Sequence, residues 1–489
     1  MKMRYILLAA CCLPLPGTVY SEPLPLAPGL RQLFFDDYII ESSSGFTRTV
    51  HQPLKYPANP VLVREHPWEG NRVQVYGTLL YDPAERLFKA WYMNIPKSAR
   101  EKITVQGQRR PGHATLLSYA TSRDGIHWDK PVLNLVDFEG STENNMIAPD
   151  LYNPEGFSVL HEPHDPNPER RYKAFYWDHG FGPLMMYEGL EIYGEGERDG
   201  IHVAFSPDGI HWRPYEGNPV MKYGSDTGQV VLFDPALEKY VAFGRFGAGG
   251  RKVARSESSD FIHWSTPELV LAPDERDGPN TQFYGISIDL YEGVYVGMLW
   301  MFYIESKSVG RIDMQLCHSR DGRHWVRDPE RRVFIPNGPP GSWDFGDMRG
   351  ACRSVILEDR ILIYYAGSQA PHGRGSELGL GMDIGFATLR RDGWVSLDAG
   401  EGEATLVTKP FAHPGGELHI NAEADTGWVK AEILDEDGKI LLSSRALSEN
   451  TLDSPLDLGS EGLAALRDKT VRLNLAAKNA RVYSFWFGE

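Results

Sequence analysis

The chain has 489 residues, of which 42% are hydrophobic, 50 are glycine and 34 are proline, and its formal net charge is −16. This length indicates either two domains or one large β architecture, because a single ordinary core rarely serves so many residues. The negative charge argues against nucleic acid as a partner, since proteins that bind phosphate backbones carry a basic face.

The N-terminus has the pattern of a secretory signal. A basic tip precedes an apolar run over residues 5–15, and small residues follow at Val19 and Ser21. We therefore predict a signal peptide over residues 1–21 and a secreted or periplasmic protein. The alternative of a membrane-spanning anchor is disfavoured because the run is too short. A lipoprotein anchor at LAAC (Leu8–Cys11) stays open, and no later segment is apolar enough to cross a membrane.

Beyond this segment the chain repeats one pattern five times. Each copy has an apolar strand, a turn, an aromatic strand and a third strand that leads into S-x-D-G-x-x-W or a close variant. This turn, called the W-turn here, occurs at Asp124–Trp128, Asp208–Trp212, Asp260–Trp264 and Asp321–Trp325, and the fifth copy ends at Trp394. The Asp-Gly pair supplies positive-φ positions and the Trp can fill the gap between neighbouring sheets, so the motif is interpreted as structural rather than catalytic.

The intervals between successive W-turns suit four-stranded sheets with loops of variable length. They predict an all-β fold, with a five-bladed β-propeller over residues 30–404 and LFFDDYIIE (Leu33–Glu41) as the N-terminal strand that closes the ring. From residue 405 to 489 the W-turn is absent, and short alternating strands predict a small β-sandwich. Cys317 and Cys352 are expected to be buried thiols, with a single disulfide as the alternative.

The repeats and the closing A-x-x-Y-S-F-type strand (Ala480–Phe485) together resemble the secreted bacterial proteins grouped with glycoside hydrolase families 32 and 43. The resemblance covers nearly the whole chain after the signal and implies a carbohydrate-active propeller. It does not extend to the family 32 signatures. WYMNIP (Trp91–Pro96) lacks the Asp of W-M-N-D-P-N-G, and RDPE (Arg327–Glu330) follows a W-turn, so no fructosidase site is transferred.

In a propeller of this kind we expect the chemistry at the N-terminal ends of the first strands. Glycosidic cleavage needs two carboxyl groups, one protonated and one ionised. Glu155 is the candidate general acid, with a solvated loop glutamate as the alternative. Asp226 and Asp347 each precede an apolar strand and are expected to share its pocket and to raise one another's pKa, with turn-capping as the alternative. The reserve candidates are Asp36, Asp37 and Asp344.

Sugar pockets also need aromatic faces and forked hydrogen-bond donors. The candidate binding residues are Arg72, Trp177, His179, Arg245, Gln282, Tyr284, Trp343, Arg349 and His372.

The leading hypothesis is a glycosidase that hydrolyses a polysaccharide or oligosaccharide through paired carboxylates. One alternative is a polysaccharide lyase acting on a uronate, with Tyr284 or His179 as base and Arg349 neutralising the acid. The other is a non-catalytic carbohydrate-binding propeller. The sequence has no zinc-ligand spacing, phosphate-binding loop or G-x-S-x-G motif, so no obligatory cofactor is predicted. It leaves open the sugar, the linkage, the stereochemical outcome and the oligomeric state.

Overall fold

The computed structural model describes residues 23–98, 101–179, 185–187, 190–192 and 199–488. Regular structure in these residues is almost entirely β-strand; the exceptions are a 3-10 turn at Pro168–Arg170 and short helices at Gly375–Leu378 and Ser460–Ala464. The all-β prediction is therefore confirmed. The predicted signal peptide lies outside the described residues, and none of the helices within them has the length and apolarity of a bilayer span.

The chain forms two compact units. The repeat unit comprises residues 48–396, and the C-terminal unit comprises residues 397–488 together with 23–47. The predicted first domain, residues 30–404, includes residues 30–47 and 397–404, which the structure groups with the C-terminal unit. They belong to the second because they supply its sheets with strands: Gln32–Leu33 pairs with Ala480–Phe487, and Ile40–Ser44 pairs with Ala404–Thr408.

The repeat unit contains five sets of antiparallel strands, one for each copy of the repeated pattern. The fourth and fifth sets are joined into one sheet by a parallel pairing of Ile312 with Asp347. The first contains Arg72–Asp82, Leu87–Ile95, Leu116–Ser122 and Trp128–Asp129, with Met146–Ile147 beside the third strand. The second contains Pro154–His161, Tyr172–Asp178, Gly200–Ser206 and Arg213–Pro214. The third contains Val230–Asp234, Lys239–Gly244, Val253–Ser258 and Glu268–Leu271, and the fourth contains Thr281–Tyr291, Val294–Ser306, Val309–Ser319 and Val326–Arg327. Two separate hairpins pair Lys102–Val105 with Gln108–Pro111 and Met185–Tyr187 with Leu190–Ile192.

The fifth set is completed by an N-terminal strand, but not by the predicted one. It contains Asp347–Gly350, Arg360–Ser368 and Asp383–Arg390, with Val355–Ile356 beside the second strand and Leu54–Lys55 as the fourth. The prediction that Leu33–Glu41 fills this position is wrong. Its apolar side chains are buried in the core of the C-terminal unit, whereas an outer strand is largely solvated, as the 76% exposure of Leu54 shows.

The first strands of successive sets contact one another, and that of the fifth set also contacts that of the first. Side chains and backbone join them: the Thr78 hydroxyl oxygen accepts from the Val159 amide at 2.8 Å, and the Cys352 amide donates to the Gly77 carbonyl at 3.0 Å. Buried hydrogen bonds of this kind satisfy backbone groups that cannot reach water. The five first strands are therefore linked in series, from the first set to the fifth and back to the first.

Each W-turn is a self-contained hydrogen-bonded turn. In the second copy, Asp208 Oδ1 accepts from the amides of Ile210 and His211 at 2.8 Å, and its Oδ2 lies 2.6 Å from His211 Nδ1. Burial raises the pKa of Asp208, but these bonds outweigh it and hold the pKa at about 2. The third copy replaces Gly with Phe261, which still adopts φ +69°, so the turn geometry is kept at the cost of strain.

The W-turns also seal neighbouring sets, as the structural interpretation requires. Trp212 and Trp394 are buried, whereas Trp128, Trp264 and Trp325 are half-buried. The carbonyl of Gly209, in the W-turn of the second set, accepts from the indole of Trp91 in the first set at 2.6 Å. The carbonyl of Gly125, in the first set, accepts from the Tyr364 hydroxyl in the fifth at 2.8 Å.

The C-terminal unit consists of two sheets that share one hydrophobic core. The first contains Leu24–Pro25, Phe411–Ala412, Thr470–Lys478, Ala404–Thr408, Ile40–Ser44, Trp428–Leu434 and Ile440–Ser443. The second contains Asn450–Pro455, Leu418–Glu423, Ala480–Phe487, Val395–Ala399, Phe46–Val50 and Gln32–Leu33. Alternate side chains of Thr470–Lys478 enter the core, the pattern of a strand with one buried face.

Cys317 and Cys352 are both buried and unpaired, so the alternative of a disulfide between them is not realised. Burial raises the pKa of the Cys352 thiol to about 11, and its sulfur lies 2.9 Å from the Gln229 carbonyl. Both thiols therefore behave as small buried side chains.

Candidate functional site

A buried ion pair lies where the first strand of the fifth set begins. Arg349 Nε and Nη2 donate to Asp347 Oδ1 and Oδ2 at 3.0 and 2.6 Å, and the two side chains are 2% and 4% exposed. Arg349 Nη1 donates to the Tyr76 hydroxyl at 2.9 Å. Burial raises the pKa of Asp347, but the positive charge of Arg349 outweighs this and holds the pKa well below its usual range.

The pKa of Asp347 is therefore lowered, and the expectation that Asp226 raises it is wrong. The nearest charge to Asp347 is a bidentate guanidinium, which favours the carboxylate form. Asp347 is therefore ionised and enclosed, and it is suited to orienting Arg349 rather than to donating a proton.

His372 joins the pair. Arg349 Nη2 lies 2.9 Å from its Nδ1, and because a guanidinium has only donors, Nδ1 is the acceptor and Nε2 carries the proton. Burial lowers the pKa of His372, which favours this neutral form. The backbone of His372 is held by two hydrogen bonds with Gly310, and its ring lies between Tyr284 and Phe302, at centroid distances of 4.8 and 5.0 Å.

Asp226 lies before the first strand of the third set, and its side chain is 47% exposed. Its Oδ2 is 3.6 Å from Nη1 of Arg245, a residue that is itself held in place by donation from Nε and Nη2 to the Tyr284 carbonyl. In the described residues no backbone amide donates to Asp226 or Asp347, so the turn-capping alternative has no support there. Asp226 is an accessible carboxylate beside an immobilised arginine.

Arg251 is a further cation here. Its guanidinium carbon lies 5.3 Å from the Tyr284 ring centroid and 5.1 Å from that of Phe302, and its Nη1 donates to Gln282 Oε1 at 2.8 Å. The Arg251 carbonyl accepts from the Phe283 amide at 3.2 Å, which ties this loop to the first strand of the fourth set.

Glu155 is the second residue of the first strand of the second set, and its side chain is 13% exposed. Its Oε1 lies 3.3 Å from Nε2 of His179, whose ring stacks on Trp177 at a centroid distance of 3.8 Å. Asn153 Nδ2 lies 2.8 Å from the same ring nitrogen, and the Asn153 amide is oriented because its Oδ1 accepts from Thr115. The fold thus brings together Glu155, the candidate general acid, and His179, one of the candidate binding residues.

Glycine packing brings the Glu155 and Asp226 segments close together. Gly156 has φ +65°, and a Cβ there would lie 2.6 Å from the Thr227 carbonyl oxygen, so only glycine permits this approach. Gly224, on the Asp226 segment, also lies close to the second set, because a Cβ there would be 3.7 Å from the Trp177 indole. The residues directly following Glu155 and Asp226 are thus in contact.

Several predicted residues lie elsewhere or serve as supports. Trp343 stacks on Tyr365 at 5.3 Å, and Asp344 pairs with Lys55 at 2.5 Å, so both pack within the fifth set. Trp177 is 1% exposed and donates its indole N–H to Asp199, which makes it a platform for His179. Arg72 opens the first strand of its set without a described side-chain contact to this cluster. Asp36 and Asp37 belong to the C-terminal unit.

The residues that sequence reasoning missed are Tyr76, Arg251 and Asn153. Tyr76 sits inside a strand that reads as apolar, and burial raises its pKa well above the usual value. Arg251 follows the glycine-rich turn GAGG, which reads as an ordinary loop. Asn153 immediately precedes the strand that starts at Pro154. Of the three, it alone could have been found from the sequence, because it lies two residues before the candidate acid Glu155. The described residues contain no group of three or more His, Cys, Asp and Glu side chains arranged to hold a metal ion.

No protein-family model and no curated protein matches the chain. Among solved structures it is similar to a glycosyl hydrolase from Bacteroides ovatus, with 14% identity, a TM-score of 0.44, and coverage of 70% of this chain and 94% of the other. It is similar to the β-1,2-mannobiose phosphorylase from Listeria innocua at 12% identity and TM-score 0.45, covering 69% and 96%. It is also similar to an N-acetylgalactosamine deacetylase from F. plautii at 16% identity and TM-score 0.39, covering 75% and 95%.

These neighbours differ in chemistry and none is described as a member of glycoside hydrolase family 32 or 43. Membership of those two families therefore stays a prediction. At such low identity and TM-score the function has to be inferred from the side chains of the site.

Proposed function

We propose that the protein is a secreted glycosidase that hydrolyses glycosidic bonds at the N-terminal ends of five propeller blades. The observation that carries this proposal is the pair of partly exposed carboxylates, Glu155 and Asp226, on adjoining segments beside immobilised histidine and arginine side chains. Two such groups are what acid-assisted cleavage of an acetal requires.

The five-bladed arrangement is supported by the contacts among first strands, which run through all five sets and return to the first. It is also supported by the W-turns that bridge neighbouring sets. Propellers bring residues that are distant in sequence to one end of a common axis. Fold alone assigns no activity, so the chemistry is argued from the side chains.

In the proposed mechanism Glu155, beside the His179 ring, protonates the leaving oxygen. Asp226, beside Arg245, either attacks the anomeric carbon or activates water. Asp347 and Arg349 do not exchange protons with substrate; they hold His372, whose Nε2 proton is free to donate to a sugar hydroxyl.

The test is turnover by Glu155→Gln and Asp226→Asn on a panel of plant, algal and microbial glycans. Each variant keeps the size and most of the hydrogen bonds, so we expect wild-type melting temperature and a fall in kcat of about 10²-fold or more. Glu436→Gln and Asp437→Asn make the same chemical changes on an exposed turn of the C-terminal unit and should be neutral. Full activity in both site variants would disprove the assignment.

The rival chemistries are distinguished in the same assay. A lyase would create a carbon–carbon double bond, and its product would absorb in the ultraviolet, whereas hydrolysis releases a reducing end without new absorbance. Binding without turnover across the panel would favour a carbohydrate-binding propeller. Secretion is tested by sequencing the N-terminus of the mature protein, which we expect to begin near residue 22.

A further inference from the structure

Three arginines surround the Tyr284 ring. The guanidinium carbons of Arg245, Arg349 and Arg251 lie 4.5, 4.8 and 5.3 Å from its centroid. In a chain of net charge −16, such a concentration of positive charge at one ring is exceptional. Because burying several cations together is costly, it indicates a requirement of function.

The hydrogen-bond donors of the three arginines are used unequally. Arg349 directs Nε, Nη1 and Nη2 to Asp347, Tyr76 and His372. Arg245 directs Nε and Nη2 to the Tyr284 carbonyl and Nη1 towards Asp226. Every guanidinium nitrogen of these two arginines therefore faces an acceptor or a carboxylate of the protein.

Arg251 is not fully engaged. Its Nη1 donates to Gln282, but its Nε is buried without a hydrogen-bond partner. Within the described residues no carboxylate lies in ion-pair distance of Arg251. Burial and the like charge of Arg245 lower its pKa, which shows that its charge is poorly compensated. A buried donor left unpaired is costly unless a ligand uses it.

The charges of this cluster do not balance. Asp347 neutralises Arg349, Asp226 faces Arg245, and His372 is neutral because burial lowers its pKa. This leaves the charge of Arg251 in excess, at the same Tyr284 ring that Arg245, the partner of Asp226, contacts. An anion on the ligand that contacts the Arg251 guanidinium would restore neutrality.

We propose that Arg251, supported by Arg245 and Gln282, binds an oxyanion on the sugar substrate, either a uronic acid carboxylate or a sulfate ester. The proposal deepens the proposed function, since it takes the ligand to be a carbohydrate. A planar guanidinium fork matches both groups, and its desolvated position strengthens the interaction. The preferred substrate is thus an acidic glycan rather than a neutral one.

The test is calorimetric binding of four probes: glucuronate, glucose 6-sulfate, glucose and inorganic phosphate. We expect at least one acidic sugar to bind about tenfold or more tightly than glucose, and Arg251→Gln to abolish that preference. The first two probes distinguish the carboxylate from the sulfate. Arg109→Gln, the same change on an exposed hairpin, is the matched control and should keep the preference.

Loss of fold is excluded by melting temperature. Removing an uncompensated, partly buried charge should leave Arg251→Gln as stable as the wild type or more so. Equal binding of acidic and neutral sugars, no binding of either acidic sugar, a preference that survives in Arg251→Gln, or binding of phosphate alone would each overturn the proposal. If acidic sugars bind but no glycan is cleaved, the proposal of an acidic-sugar site stands and the proposed glycosidase activity is refuted. If glycans are cleaved without a preference for acidic sugars, the glycosidase activity stands and the acidic-sugar site is refuted.

Discussion

Replacing Asp347 by Asn should destabilise the repeat unit, not merely alter the site. The two charge-assisted hydrogen bonds of 3.0 and 2.6 Å hold Arg349 at 2% exposure, so its charge has no access to water. Asn retains one acceptor but presents an N–H₂ group to a guanidinium donor. Breaking one partner of a buried pair costs about 3–5 kcal/mol, and we expect that loss in the free energy of unfolding.

The measurement is urea unfolding followed by tryptophan fluorescence, which reports mainly on the repeat unit because only Trp428 and Trp486 lie outside it. Asp359→Asn breaks the exposed pair with Arg360 and should cost about 1 kcal/mol or less. The double variant Asp347→Asn with Arg349→Met removes both charges and should recover most of the lost stability. If Asp347→Asn unfolds like Asp359→Asn, the buried pair does not have the role assigned to it.

The same pair predicts a pH dependence. The folded pKa of Asp347 lies below its unfolded value, so the folded state binds this proton more weakly and the stabilisation is fully present above the unfolded pKa. It is lost as the pH falls through the folded pKa. The stability difference between wild type and Asp347→Asn should therefore be constant near neutral pH and shrink only under acid conditions, below about pH 4.

Two further outcomes are expected. Burial raises the pKa of Asp313 to about 7, so stability should fall as the pH rises from about 4 to 7. By urea unfolding, Asp313→Asn should be more stable than the wild type by about 1–4 kcal/mol at pH 8, and this difference should fall below about 1 kcal/mol at pH 4. A stability difference between wild type and variant that is the same at both pH values would contradict that shift. Deleting residues 405–489 removes the pairing partners of Gln32–Leu33 and Ile40–Ser44, so the truncated protein should be recovered as aggregate; soluble protein with an unchanged melting temperature would show those pairings to be dispensable.

The site could be predicted in part because strand starts are visible in the sequence. Asp226, Glu155 and Asp347 each precede an apolar run, and a repeated fold brings equivalent ends together. Their individual roles could not be predicted. Whether a carboxyl group donates a proton or orients a neighbour depends on its partner, and Arg349 lies two residues from Asp347 without any pattern that announces a bidentate pair.

Local chemistry determined the repeats, the turns and the all-β class, because a W-turn is stabilised by bonds among its own few residues, as at Asp208 and His211. Long-range packing decided the rest. Leu33–Glu41 reads as a strand for either unit, and only competition between two cores assigned it to the C-terminal one while Leu54–Lys55 completed the fifth set. The arginines around Tyr284 come from separate segments, so their shared excess charge exists only in the folded chain.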